Sequence, residues 1–180
     1  MTINDYRRKY YDEFCQVKIE EYRHNNPNAA EKTDANIREE LGLYLRNGEV
    51  LKDFIMYCAR REIALEEQRA TRDVIEGYRI EHPEATKYSD EEILQMVPLS
   101  ITEREYIAKG IYEKMARMLE DEIRELVEEY ESDMEALKNP NLRGQERSEL
   151  SHDVSSTQVN ITMRETAKQA FTEQSRGLYK

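Results

Sequence analysis

One segment limits the fold of this chain more than any other. Ile107, Ile111, Met115, Leu119, Ile123, Leu126, Tyr130, Met134 and Leu137 follow one another in steps of three and four. A side chain returns to the same side of an α-helix every 3.6 residues, so this spacing lays all of them on one stripe, and no strand could keep them on one face. Thr102 and Glu105 have the spacing of a capping box at the start, and Asn139-Pro140 stops the run. At 1.5 Å per residue the predicted helix over residues 102–138 is roughly 50 Å long. A rod of that length exceeds a compact domain of 180 residues. It therefore either protrudes or has its stripe covered by a partner.

Helical spacing recurs along the rest of the chain. Glycine and proline are scarce, six and four, and they fall where helices should end. A first helix is predicted over residues 4–25, with Tyr6, Tyr10, Phe14, Val17 and Tyr22 along one side and Pro27 as its stop. Thr33 or Asp34 caps a short second helix carrying Ile37, Leu41 and Leu45, closed by Asn47-Gly48. A third runs over residues 49–81, and its polar middle, residues 66–73, predicts a bend or an exposed stretch. Ser89 or Asp90 caps a short fourth helix with Ile93, Leu94 and Val97, ended by Pro98. Residues 141–156 read as a polar loop, and a last helix over residues 157–174 turns Val159, Met163, Ala167, Ala170 and Phe171 inward.

The expected fold is all-α: an elongated helical bundle of about five to six helices with a duplicated long-helix, turn, short-helix unit. Residues 1–140 would form a helical domain, with tandem units at about 4–48 and 50–98 and the long fifth helix at about 102–138. Residues 141–180 would form the polar loop and C-terminal helix. The duplication rests on a gapless match of residues 19–37 to residues 75–93. Ile19/Ile75, Glu20/Glu76, Tyr22/Tyr78, Arg23/Arg79, Pro27/Pro83, Ala29/Ala85, Asp34/Asp90 and Ile37/Ile93 are identical across it. Stacked duplication competes with convergence of helix-end chemistry. The Tyr-Arg pair, which capping does not demand, favours duplication.

Charged residues (36%) nearly equal hydrophobic ones (38%), which leaves a slim core and much solvated helix. The formal charge of −11 repels nucleic acid and anionic membrane and favours a basic partner, although acidity also serves solubility alone. Direct nucleic-acid binding is disfavoured. Cys15 and Cys58 lie in helical patterns behind an N-terminus with no apolar leader, which predicts free thiols in a reducing cytoplasm. No stretch approaches the roughly 18 apolar residues of a membrane span.

A search for chemistry yields no catalytic site, no metal site and no cofactor. The glycines never cluster, and neither Cys-x-x-Cys nor His-Glu-x-x-His occurs. His24, His82 and His152 lie far apart, and Glu149-Leu150-Ser151-His152 has Glu-x-x-His spacing without a second copy. Tyr6-Arg7-Arg8-Lys9-Tyr10-Tyr11 is a basic and aromatic stretch that reads as a solvated helix start, or as a contact for phosphate or an acidic partner.

The functional signal is acidic. Residues 120–135 hold nine acids, Glu120, Asp121, Glu122, Glu125, Glu128, Glu129, Glu131, Asp133 and Glu135, against the single base Arg124. On a helical wheel with Ile123 at zero, Leu119, Leu126, Val127, Tyr130 and Met134 fall within about 60°, and the acids fill the rest of the circle. Asp121, Glu125, Glu129 and Asp133 form a like-charge i,i+4 ladder, in which each pair costs on the order of 0.2–0.5 kcal/mol. A rod of carboxylates roughly 20–25 Å long imitates the charge of a nucleic-acid backbone and fits a groove of Lys and Arg built for DNA or RNA.

This profile is similar to that of phage and mobile-element inhibitor proteins, in particular anti-CRISPR proteins acting on RNA-guided nucleases. The resemblance is one of type and rests on the acidic run at residues 120–135, the size and the missing active site. It implies a large basic nuclease as target, inhibition by steric and electrostatic means, and residence in the bacterial host cytoplasm. The rival expectation is a structural or adaptor protein of a phage or mobile element that forms a homodimer, with the stripe of residues 111–137 buried between chains.

Overall fold

The computed structural model describes residues 2–178, and among them it is all-α: six α-helices, two 3₁₀ turns and no strand. The ends of the expected terminal segments, residues 1, 179 and 180, lie outside the described residues. Helix α1 covers Ile3–Asn25, α2 Asp34–Glu40, α3 Gly48–Glu81, α4 Asp90–Met96, α5 Ile101–Ala136 and α6 Gly144–Gly177. The 3₁₀ turns Pro27–Glu31 and Pro83–Lys87 join α1 to α2 and α3 to α4.

Side chains at the helix starts take up N–H groups that have no partner within the helix. Thr2 accepts from Asp5, Thr33 from Asn36, Ser89 from Glu92 and Ser100 from Glu103. Helix α5 thus begins ahead of the Thr102–Glu105 spacing, because Ser100 and Glu103 supply the same reciprocal capping sooner. The stop of α2 also differs from expectation. Gly42, at φ +57°, ends it in the left-handed region. Asn47 instead caps α3, with Gly48 as that helix's first residue. Gly48 is also a close approach, since a Cβ there would lie 3.0 Å from Met163 Cγ of α6. Helix α3 runs unbroken through residues 66–73, where Gln68, Arg69, Arg72 and Asp73 are exposed.

The largest correction concerns residues 141–156. Helix α6 already begins at Gly144 and spans 34 residues, about 51 Å. The Arg143 N–H donates to the Glu146 carboxylate at 3.0 Å, which caps the start. Leu150, Val154, Thr157 and Ile161 then follow at helical spacing, and Val154 and Thr157 are buried. The segment reads as a loop because it needs only one narrow apolar edge.

That edge lies against α5. The two long helices pair antiparallel: Glu120 meets Lys168, Glu122 meets Arg164, and the Tyr112 ring lies 6.0 Å from that of Phe171. Part of the apolar stripe of α5 is therefore covered within the chain: Met115 and Leu119 are buried, while Met134 is left open. The main core lies where α1, the first half of α3, the middle of α5 and the second half of α6 meet. Phe14, Phe54, Cys58, Met115, Leu119 and Phe171 are each 1% exposed or less. Both thiols are buried, and burial pushes that of Cys58 up to about 12. Past the point where the Ile3 N–H donates to Glu122, α5 and the first part of α6 continue as a two-helix arm.

A half-buried network ties α1 to α3. Lys9 Nζ and Tyr10 Oη donate to Glu62 at 2.8 and 2.7 Å. Burial alone would raise the Glu62 carboxyl, but the hydrogen bonds from Lys9 and Tyr10 outweigh it and hold the group below its ordinary value. A depressed carboxylate contributes stability above its unfolded pKa, and that stability is lost as pH falls through the folded value. Glu62→Gln is therefore expected to cost about 1.5 kcal/mol at pH 7, the scale of a hydrogen bond to a charged group. The difference from wild type should close below the ordinary carboxylate pKa of 4.5. Urea unfolding of both proteins at pH 7 and pH 3.5 checks this.

The repeat is visible in contacts as well as in residues. Arg23 Nη2 donates to the Lys32 carbonyl at 3.0 Å and lies 2.6 Å from Asp34 Oδ1. Arg79 Nη2 does the same to the Tyr88 carbonyl at 3.2 Å and to Asp90 at 2.7 Å. Ala29 and Ala85 are buried beneath the two turns, as are Ile37 and Ile93 in the short helices. The arginine is thus part of the turn: it clamps the end of a long helix to the start of a short one, which gives its identity in both units a physical reason. The units differ where Tyr22 donates to Glu40 at 2.6 Å but Tyr78 meets Met96 Sδ at 3.6 Å. Arg79→Ala and Arg23→Ala should each cost about 1–2 kcal/mol by urea unfolding. A change under about 0.3 kcal/mol at both would show that neither turn depends on its clamp.

Candidate partner-binding surface

Neighbouring helices divide the nine acids of α5. Glu120 pairs with Lys168 of α6 at 3.0 Å. Glu122, largely buried, accepts from Arg164 at 2.9 Å and from the Ile3 N–H at 2.7 Å, so it anchors α6 and the start of α1 to α5. Asp121 holds Arg124 within α5 at 2.8 Å, and Glu135 pairs with Lys138. These four are internally compensated. Glu125, Glu128, Glu129, Glu131 and Asp133 have no ion-pair partner among the described residues. All but the half-buried Asp133 are exposed. The free carboxylates occupy about 12 Å of helix, half the length read from sequence.

The body of the protein is arranged differently. There, carboxylates meet bases across helices: Glu62 with Lys9, Asp53 with Lys18, Glu13 with Arg61. On the arm they do not. Helix α6 adds Glu146, Glu149 and Asp153, all exposed, which sequence reasoning passed over because it placed them in a loop. Residues 123–156 carry nine acids and four bases, a net charge of −5 on two adjacent helices. Val159 (51% exposed) and Met134 (39%) are large apolar groups left open on the arm, while Ile101 and Tyr106 are open at the other end of α5.

The acids face two sides. Glu125 and Glu129, four apart, share one side of α5, Glu131 lies about 120–160° around the helix from them, and Glu128 stands between, three residues from both Glu125 and Glu131. Glu125 and Glu129 line a hollow with Thr2, Ile3 and Asn4 at the start of α1. Asn4 also borders the adjoining hollow of Arg7, Arg8, Tyr11 and Asp12. The expected basic and aromatic stretch is split by the fold: Tyr6 and Tyr10 are buried, Lys9 is engaged with Glu62, and Arg7 and Arg8 are exposed. Arg38 comes from α2 and Arg46 from the connection that follows it, and no local signal marks them. Arg38 and Arg7 lie 5.0 and 5.8 Å from the centre of the Tyr11 ring, and Arg46 lies 5.1 Å from that of Tyr44.

His152 and Glu149, with Glu-x-x-His spacing, are both exposed on α6. Among the described residues no three His, Cys, Asp or Glu converge as a metal site would require. None of the described helices is long and apolar enough to cross a membrane. Compared with protein-family models, with curated protein sequences and with solved structures, the chain matches none.

Proposed function

We propose that this chain is a non-enzymatic inhibitor that docks the arm formed by α5 and α6 into a basic, nucleic-acid-holding groove of a partner. The observation that carries the reading is the uncompensated quartet Glu125, Glu128, Glu129 and Glu131, exposed on an arm whose like charges the chain's own bases leave unpaired. Like charges at i,i+4 oppose helix formation, and mixed charges would solvate the helix equally well. A groove of Lys and Arg removes that opposition on binding, and complementary potential speeds encounter.

The resemblance of type points to an RNA-guided nuclease as target, since such enzymes hold a duplex by its backbone in a positively charged channel. Occupying that channel would exclude nucleic acid sterically, with no reaction catalysed by the inhibitor. The test is DNA binding and cleavage by purified RNA-guided nucleases, with wild-type protein and with a variant carrying Glu→Lys at the four positions. Inhibition by wild type that DNA competes away and that the variant lacks supports the reading. Equal effects of the two proteins would overturn it.

A further inference from the structure

We propose that the chain forms a two-fold dimer through the surface centred on Asn4, the acidic side of each copy lying against the basic side of the other. On one side of Asn4 stand Glu125 and Glu129; on the other stand Arg7, Arg8 and Arg38 around Tyr11, with Asp12 near Arg38 and Asp5 near Arg8. Glu122 is already neutralised by Arg164. The acidic side is therefore net negative, and the basic side, where three arginines outnumber Asp5 and Asp12, is net positive.

Among the described residues none of these three arginines and neither of these two glutamates makes a close ion pair; Arg8 feels Asp5 and Arg38 feels Asp12 only at longer range. The fold holds the guanidinium groups of Arg7 and Arg38 against a single ring, which brings like charges together in a protein with 38 acids. Within one copy the two sides flank Asn4 without meeting. A two-fold axis through Asn4 exchanges them. The same patch on both subunits must then complement itself, and a patch with matched positive and negative halves does so. A free anion such as phosphate would satisfy only the basic half and leave Glu125 and Glu129 as they are. A second copy satisfies both. Each exposed ion pair contributes little alone, so this dimer is weak and dissociates as salt screens it. Glu125 and Glu129 serve either the second copy or a basic partner, so the two associations compete, whereas Glu131, on the far side of α5, stays open in the dimer.

Sedimentation velocity tests the arrangement at 50 and 500 mM NaCl. Wild type is expected to be dimeric at tens of micromolar in low salt and monomeric in high salt. R7E/R8E and E125R/E129R, which place like charge against like charge, should each weaken dimerisation at least 100-fold. Circular dichroism of both variants checks that they remain folded. An equimolar mixture of the two double variants should form a heterodimer, because a face that is net acidic on both sides then meets one that is net basic on both. The quadruple variant, with the halves exchanged, should dimerise as wild type does. A monomeric wild type in low salt at 200 µM overturns the proposal. So does a double variant that dimerises alone as well as wild type, or a mixture that stays monomeric.

Discussion

Phe54→Ala should lower the stability of this protein by about 3–5 kcal/mol, the usual cost of truncating a buried phenylalanine. Phe54 is fully buried in the first half of α3, at the meeting point of the four long helices. Its ring stands edge-on to those of Tyr11 at 5.7 Å and Phe14 at 5.4 Å. Removing it forfeits the burial of the ring and both aromatic contacts, and leaves a cavity walled by helices that their other contacts hold apart. Domains of this size are stable by only about 5–15 kcal/mol, so a large share of the margin goes. Ile80→Ala is the matched control. Ile80 lies on the same helix but is 80% exposed, and its truncation should stay within about 0.5 kcal/mol. Urea midpoints and slopes for the three proteins decide the matter. A loss below about 1.5 kcal/mol for Phe54→Ala, or one no larger than that of Ile80→Ala, would mean that the core does not lie at this intersection.

Glu→Lys at residues 125, 128, 129 and 131 should weaken binding of the arm to its basic partner by at least ~100-fold, about 2.7 kcal/mol. The four changes shift local charge by eight units, taking residues 123–156 from −5 to +3. An attractive field becomes a repulsive one, which lowers the association rate as well as the affinity. The fold should survive, since lysine matches glutamate in helix propensity and these side chains are exposed. Salt supplies an independent check: wild-type affinity should fall steeply between 50 and 500 mM, as the Debye length shrinks from about 14 to about 4 Å. Binding by the reversed variant within threefold of wild type, or wild-type binding indifferent to salt, would remove the electrostatic basis of the proposed function. Reversal of Glu131 alone separates this effect from self-association, because that residue lies away from the Asn4 surface.

Local chemistry explains why most helices are legible in the sequence. The stripe from Ile107 to Leu137, the prolines at positions 27 and 83 and the hydroxyls at Thr33 and Ser89 all act over three or four residues. The errors are local ambiguities. Ser100–Glu103 and Thr102–Glu105 offer the same cap two residues apart, and Asn-Gly serves equally as the end of one helix or the start of the next. Residues 144–156 fail for another reason. A helix in a two-stranded arm buries one edge, so Leu150 and Val154 are almost all the apolar signal it sends.

The candidate surface divides along the same line. Sequence alone determined that the second half of α5 is acidic all around its apolar stripe, because charge and helical phase are both local properties. Which carboxylates remain free was decided only by packing. Arg164 and Lys168 belong to a different helix, far along the chain from the acids they neutralise. They reach those acids because the antiparallel docking of α6 sets them opposite Glu122 and Glu120. Arg38 likewise joins Arg7 at Tyr11 only because the chain around α2 folds back on α1. Coulombic partnership depends on distance in space, and between helices far apart in sequence that distance is set by which apolar faces interlock.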